Sequence, residues 1–314
     1  MIHCVNLNAT MDTLLVLPDL KLGGVNRAVA ALSYPGGKGN NAARAIATLG
    51  LKPDLFAFTG AKEKASSERF YREQGVTPRL LPVPGSNRPC FVILDGGRNE
   101  ETVLNSPSQL QLKQAHAAKL LAGLLKVVKP GDIVTVSGSL PEGLRDDTYA
   151  HFIRQIQHKG GVCLLDSYGP GLARGVEAAP FLVKPNADEL GDSFGVPTKT
   201  REQVLKAAQM LIRHGVRSVV VTLGVRGAVA VNHRETLYVA PLPTPRGLLS
   251  PVGCGDAFLG GLAWGLHGGR PLADCLKWAT AAAWANLTTP GAVFFAKKLV
   301  KAQVKLVKVT RVAA

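Results

Sequence analysis

In Ser250-Pro251-Val252-Gly253-Cys254-Gly255-Asp256-Ala257-Phe258, two glycines and a carboxylate stand where a loop turns into the apolar run Leu259 to Leu266. The first N–H groups of a helix have no acceptor inside it, and the helix dipole adds positive charge at the same place. A phosphoryl group in transfer needs such donors, and a neighbouring carboxylate can take the proton of the attacking hydroxyl. Asp256 is the candidate for that base. Taken alone, the pattern is also met by a tight turn whose aspartate caps the helix.

A second cluster, Pro35-Gly36-Gly37-Lys38-Gly39-Asn40-Asn41-Ala42-Ala43-Arg44, lets backbone approach a ligand closely. Lys38 can meet a phosphate there, and Asn41 can hydrogen-bond sugar hydroxyls. Gly37-x-Gly39-x-x-Ala42 also matches a dinucleotide fingerprint, with Asp54 as its distant ribose partner. That motif needs a preceding strand of the same βαβ unit, whereas here the chain arrives through Ser33-Tyr34-Pro35 from an outlying segment. A Walker loop is excluded, because Lys38 is followed by Gly39. In Val183-Lys184-Pro185-Asn186-Ala187-Asp188-Glu189-Leu190, Lys184 can reach nucleotide phosphates, while Asn186 and Glu189 either order Mg²⁺ and its waters or cap a helix. Ser137 to Gly143 and Asp166 to Gly171 read as strand-end turns, and Val219 to Ala228 as a buried strand with a glycine turn suited to lie under a nucleotide.

The elements that must position these groups alternate. Strands are predicted at Ile2–Leu7, Leu55–Thr59, Asp132–Ser137, Gly161–Asp166, Phe181–Lys184, Ser218–Thr222 and Ala228–Val231. Helices are predicted at Gly39–Leu49, Ser66–Glu73, Gln109–Leu125, Asp146–His158, Thr200–His214, Asp256–Leu266 and Leu272–Asn286. This is the pattern of an α/β protein with a mostly parallel sheet covered on both faces, whose ligands bind beyond the carboxyl ends of the strands. With no linker and no fixed-period repeat, one domain over 1–314 is expected. Two segments, about 12–33 and 88–104, break the alternation and look like hairpin strands able to form a lid.

Composition narrows the class. The 314 residues are 46% hydrophobic, enough for one large core, and no apolar run reaches a membrane span, so no membrane partner is expected. Five scattered cysteines without a C-x-x-C pair suggest neither a disulfide framework nor a zinc site, and the start of the chain carries no leader pattern, so a cytoplasmic location is expected. The histidines form no metal-spaced pair. A net charge of +15 favours anionic sugar phosphates and nucleotides. The basic residues concentrate only at the end, where Lys297, Lys301, Lys305 and Lys308 are predicted to share one solvated helix face opposite Val300, Val304 and Val307, and no nucleic-acid partner is expected.

Together and in order, Asn6 to Asp12, Gly36 to Asn41, Ser137 to Gly143, Lys184 to Glu189, Thr222 to Gly227 and Gly253 to Asp256 resemble the ribokinase-like sugar kinase superfamily. Within it the chain is similar to the phosphofructokinase, fructose-1-phosphate kinase and tagatose-6-phosphate kinase branch. The resemblance implies a three-layer sandwich with a small β lid, and an ATP-dependent kinase with Asp256 as base and the amides of Gly253, Cys254 and Gly255 as anion hole. It places Asp12, Gly37 and Asn41 on the sugar, Lys38, Arg88 and Arg27 on its existing phosphate, and Ser139 in the substrate-side turn. Lys184, Thr222, Gly224 and Gly227 would contact the nucleotide, Asn286 would lie near the adenine, and Asn186 and Glu189 would support Mg²⁺. A monovalent cation and a homodimer through the lid are further implications. Gly36-Gly37-Lys38-Gly39 and Val25-Asn26-Arg27 look more like fructose-1-phosphate or tagatose-6-phosphate kinases, with Lys38 and Arg27 as cations for a phosphate already on the sugar, whichever carbon carries it. Fructose 1-phosphate phosphorylated at the 6-hydroxyl is the preferred expectation; tagatose 6-phosphate, fructose 6-phosphate and a non-catalytic sugar-phosphate-binding regulator are the alternatives.

The chain departs from the branch at Ala9-Thr10, where the loop presenting Asp12 usually carries Pro-Ala; at Pro251, usually a hydroxyl residue; at Cys254, usually alanine; and at Asn40, usually apolar. Pro251 removes a donor near the phosphates. Cys254, at a helix N-terminus, is expected to have a lowered thiol pKa and to be a site of oxidative inactivation.

Overall fold

Side chains along the central strands alternate between two buried layers. Val183, Val219 and Val221 face one, whereas Leu182 and Val220 face the other, as the two-residue period of a strand dictates. The computed structural model describes residues 1–247 and 250–312.

The strands are β1 (Ile2–Asn6), β2 (Thr10–Leu17), β3 (Ala30–Gly36), β4 (Asp54–Gly60), β5 (Thr77–Val83), β6 (Gly85–Ser86), β7 (Arg88–Asp95) and β8 (Glu100–Asn105). They continue as β9 (Gln109–Leu110), β10 (Ile133–Ser137), β11 (Val162–Asp166), β12 (Leu182–Val183), β13 (Ser218–Thr222), β14 (Ala228–Asn232), β15 (Thr236–Val239) and β16 (Val309–Val312). The helices are α1 (Lys38–Thr48), α2 (Lys64–Glu73), α3 (Gln114–Leu125), α4 (Thr148–His158) and α5 (Gly169–Val176). They are followed by α6 (Ala187–Phe194), α7 (Arg201–Arg213), α8 (Cys254–His267), α9 (Leu272–Leu287) and α10 (Lys297–Val304).

Among the described residues, ten strands form one sheet in the order β16-β15-β14-β13-β12-β11-β10-β1-β4-β5. Pairing is parallel from β5 to β13 and antiparallel from β13 to β16. One face is covered by α3 to α7 through Leu120, Phe152, Leu172, Leu190 and Leu211, the other by α1, α2 and α8 to α10 through Ile46, Tyr71, Leu262, Leu276 and Val300. This is the expected three-layer α/β arrangement. The carboxyl ends of β1, β10, β11 and β12 thus open on one side, where α1, α6 and α8 begin.

The two irregular segments do lie outside this sheet. They form a second one, β3-β2-β7-β8, with β2 and β7 parallel and the outer pairs antiparallel. Its inner face buries Leu14, Cys90, Val92 and Leu94, with Val252 of the loop before α8 packed against them.

Two expectations are corrected. Gln109 and Leu110 are not helical: they pair with β6, and α3 begins only at Gln114. The basic C-terminal segment is not one helix. It ends as α10 at Val304, and Val309–Val312 pairs with β15, whose free edge presents backbone N–H and C=O groups for a further strand. Lys305 and Lys308 therefore do not continue the face of Lys297 and Lys301. The dinucleotide fingerprint fails as expected, since β3 belongs to the second sheet, and Asp54 instead binds His3 (3.1 Å) and Arg79 (3.0 Å). Among the described residues no helix is long and apolar enough to cross a membrane.

Candidate active site

The turn into α8 is built around Gly253, whose φ of +83° lies in the left-handed region that favours glycine. A Cβ there would also meet Ala292 Cβ at 2.6 Å. From the first turn of α8, Asp256 points into the protein, 7% exposed, and accepts a hydrogen bond from Asn41 Nδ2 at 2.9 Å. Burial, reinforced by the charge of Asp166, raises its pKa to about 6, against the opposing pull of Lys38, Asn41 and Lys184. It remains ionised at neutral pH while staying a stronger base than an ordinary carboxylate.

Two lysines and two further carboxylates surround it. Lys184 is buried at the end of β12, with Nζ 3.1 Å from Asp166 Oδ2, and a Cβ on Gly255 would lie 3.7 Å from that same ammonium. Lys38, at the start of α1, donates to Glu189 Oε1 at 2.6 Å and to Asp166 Oδ1 at 3.4 Å. Burial alone would lower the Lys38 pKa, but the two carboxylates outweigh it and hold the ammonium firmly charged. Asp166 is thus the hub joining the sugar-side loop to the β12 lysine. Sequence reading placed it in a strand-end turn and gave it no role; its position at the carboxyl end of β11 was the available signal.

Asn186 and Glu189 form a reciprocal capping box at α6: Glu189 N–H donates to Asn186 Oδ1 (2.8 Å) and Asn186 N–H to Glu189 Oε2 (2.9 Å). The capping alternative is therefore realised, with Lys38 on the remaining Glu189 oxygen. Among the described residues no three His, Cys, Asp or Glu side chains converge as a metal cage. Asp166 Oδ2 is buried and lacks a hydrogen bond, as do Asn6 Oδ1, Asn8 Oδ1, Asn41 Oδ1 and Ser137 Oγ on the same side of the sheet. Orphaned buried acceptors at strand ends mark a place that a polar ligand would complete.

Among the residues expected on the sugar, Asp12 lies on the inner face of the second sheet, where a Cβ on Gly36 would run into its carboxylate. Thr10 Oγ1 donates to Asp12 Oδ1 at 2.5 Å, so the Ala9-Thr10 departure supplies a donor that fixes the carboxylate. Gly37 adopts φ +112° immediately before α1. Asn40, unexplained by sequence, supports this loop: Nδ2 donates to Gly36 O and to Tyr71 Oη, both at 2.6 Å, and Oδ1 accepts from Asn6. Ser139 Oγ accepts from Asn8 Nδ2 at 2.9 Å. Arg88 Nη1 donates to Asn105 Oδ1 and Ser106 O, leaving Nε buried and unpaired, while Arg27 is exposed on the loop between β2 and β3.

Among the residues expected on the nucleotide, Thr222 ends β13 beside Asn186, and Gly224 and Gly227 bracket the short turn that follows, both at positive φ. Three expectations change here. Asn286 does not present an edge to a ligand: it is wholly buried, donating to Val252 O (2.7 Å) and Cys254 Sγ and accepting from Val293 N–H (2.7 Å). The Cys254 amide is not free, because it closes a turn onto Pro251 O at 3.1 Å, leaving the Gly253 and Gly255 amides as the anion-hole candidates. The Cys254 thiol pKa is pushed up to about 12, as burial outweighs its bond from Asn286, so the expected reactive thiolate and its oxidative inactivation are withdrawn.

Sequence reading also missed Glu101. From β8 it accepts from Ser250 Oγ at 2.9 Å and from Val252 N at 3.0 Å, tying the second sheet to the loop before α8 on either side of Pro251.

The profile of the pfkB family of carbohydrate kinases matches residues 5–299. A 1-phosphofructokinase of Xanthomonas campestris pv. campestris is 34% identical over 88% of both chains, and a tagatose-6-phosphate kinase of Staphylococcus epidermidis is 31% identical over 90% of both. The crystal structure of phosphofructokinase-2 from Escherichia coli in complex with potassium superposes with a TM-score of 0.89 at 26% identity, covering 97% of this chain and 98% of that one.

Proposed function

The chain belongs to the pfkB family of carbohydrate kinases, and from that premise we propose that it transfers the γ-phosphoryl group of ATP to the 6-hydroxyl of fructose 1-phosphate, giving fructose 1,6-bisphosphate and ADP. The observation that carries this reading is a buried carboxylate of raised pKa, Asp256, seated at the N-terminus of α8 between Lys38 and Lys184. Asp256 takes the proton of the hydroxyl as its oxygen forms a bond to the γ-phosphorus; the bond from that phosphorus to the β–γ bridging oxygen breaks, and ADP leaves. The Gly253 and Gly255 amides and Lys184 face the charge that develops.

Asp12, Gly37, Asn41 and Ser139 are assigned to the sugar, and Lys38, Arg88 and Arg27 to its phosphate. Thr222, Gly224 and Gly227 are assigned to the nucleotide. Asp166, Asn186 and Glu189 offer hard oxygen ligands of the kind Mg²⁺ takes, and Asp166 Oδ2, which has the Lys184 ion pair but no hydrogen bond, fits that role. Bound with the nucleotide, Mg²⁺ would neutralise charge on its phosphates. A monovalent cation belongs to the same proposal and is checked by comparing turnover in potassium and in a bulky organic cation. The second sheet acts as a lid that excludes water, and Phe91 and Leu104, paired and exposed on its outer face, are the proposed contact of a homodimer.

Phosphorylation of tagatose 6-phosphate is the second reading, favoured by the similarity to the staphylococcal kinase. ADP release with Mg-ATP is measured against fructose 1-phosphate, fructose 6-phosphate, tagatose 6-phosphate and fructose, with Asp256→Asn alongside. Turnover of fructose 1-phosphate above the others, lost in the variant, is the expected result; preference for another sugar overturns the substrate assignment, and turnover surviving in the variant overturns the base.

A further inference from the structure

Val293 has a φ of +59°. A β-branched residue holds this left-handed conformation only where its surroundings impose it. Here they act from both sides: the Val293 N–H donates to Asn286 Oδ1 at 2.7 Å, and its carbonyl accepts from Arg44 Nη2 at 3.1 Å. Arg44 Nη1 also donates to Ala292 O at 2.9 Å, and the Ala292 N–H donates to Tyr34 Oη at 2.8 Å. Arg44 itself is wholly buried on α1, its guanidinium carbon 4.4, 5.0 and 5.5 Å from the ring centres of Phe294, Phe70 and Tyr34. Keeping a guanidinium out of water is costly even with ring faces and carbonyls around it.

What this clamp holds is the wall of the anion-hole turn. Ala292 Cβ stands 2.6 Å from where a Cβ on Gly253 would be, and the Asn286 amide that takes the Val293 N–H also donates to Val252 O at 2.7 Å. We infer that Arg44 is a positioning residue for phosphoryl transfer: by holding Val293 in its left-handed conformation it sets Ala292 and Asn286 against the Gly253 turn, and so aims the anion-hole amides. The inference rests on the reading of that turn as the anion hole. Being wholly buried, Arg44 touches no substrate, so its loss misaligns donors without removing a substrate contact.

The test measures kcat, both KM values and melting temperature for Arg44→Lys, Val293→Gly and the double variant. Arg44→Lys is expected to lower kcat about ten- to a hundredfold, as small misplacements do, with each KM changed by less than about threefold. Glycine adopts the left-handed conformation without strain, so beside Val293→Gly the same substitution should cost kcat at least about fivefold less. An equal kcat loss in both backgrounds, a loss carried by KM, or a lowered melting temperature with kcat intact overturns the inference. If Arg44→Lys does not fold, Tyr34→Phe removes only the acceptor of the Ala292 N–H and is read the same way: a kcat loss that shrinks beside Val293→Gly supports the clamp, and an undiminished or absent loss refutes it. Asp256→Asn in parallel separates two failures. Turnover surviving there means the site itself was misassigned, whereas turnover lost there with Arg44→Lys silent counts against the clamp alone.

Discussion

The floor of the site and the sheet above it are held in opposite ways. Around the α8 N-terminus a buried network joins elements far apart in the chain: Asp256 has Asn41, Asn286 has Val252 and Val293, Ala292 has Tyr34, and Arg44 has two carbonyls. The second sheet has only a small core of its own, Leu14, Cys90, Val92 and Leu94, reaches the main core through Tyr34 of β3, and leaves Leu32, Phe91, Val103 and Leu104 exposed. Glu101 is its polar tie to the loop before α8. The chemistry demands donors aimed to fractions of an ångström, whereas a cover must admit and release substrate. On the proposed reading, stiffness is spent where charge develops, and the sheet proposed as a lid is more lightly attached.

The sharpest way to break this contrast is Gly253→Val. It puts a branched side chain at φ +83° against Ala292, and is expected to cost roughly 3–5 kcal/mol and at least about a hundredfold in kcat, read by thermal melts and ADP release. If turnover survives, the floor is not rigid.

Next comes Asp256. Its folded pKa, about 6, lies above the unfolded carboxylate value, so the group favours folding most at pH below 4 and this contribution is lost as pH rises through 6. Asp256→Asn should therefore raise stability at pH 8 by up to about 3 kcal/mol, with the gain vanishing near pH 3.5. In the unmodified protein kcat/KM should fall about tenfold per pH unit below the Asp256 pKa of about 6. A pH-independent stability difference would sink the assignment of the raised pKa.

Glu101→Ala tests the cover. Losing two bonds to a charged acceptor is expected to cost about 1.5–3 kcal/mol and to raise KM for the sugar phosphate more than it lowers kcat. A larger kcat effect would mean that Glu101 belongs to the floor.

The smallest effect on folding is expected from Phe91→Asn with Leu104→Asn on the outer face, within about 0.5 kcal/mol of neutral at such exposed positions. In sedimentation the same pair should abolish a dimer; a dimer that persists moves the interface elsewhere.

Much of this was legible in one dimension. The loop-to-helix turns at Gly37 and Gly253 and the valine-rich strands announce themselves through local backbone preference and a two-residue period. Asn186 and Glu189 were visible as a pair, but whether they cap or ligate depended on Lys38, which approaches from α1. Cys254 was misread because position at a helix N-terminus argues for a thiolate, while burial against α9, invisible locally, argues more strongly against one. Lys305 and Lys308 were misread because the i, i+4 spacing runs on past Val304, whereas the chain leaves the helix there to pair with β15, a partner far away in sequence. Val293 could not be found at all: nothing in a β-branched residue suggests positive φ, and only its partners enforce it.

The sequence by itself determined most of the element types, the family and the chemical inventory, because turn glycines, hydrophobic periods and motif spacings act over a few neighbouring residues. Tertiary structure alone decided how far the Asp256 pKa is raised, which cysteine is inert, which amide is already taken and which arginine is buried against the Val293 carbonyl. Those properties follow from burial and from charges brought within a few ångströms by segments far apart in the chain, as when Asn41 meets Asp256 and Arg44 meets Val293.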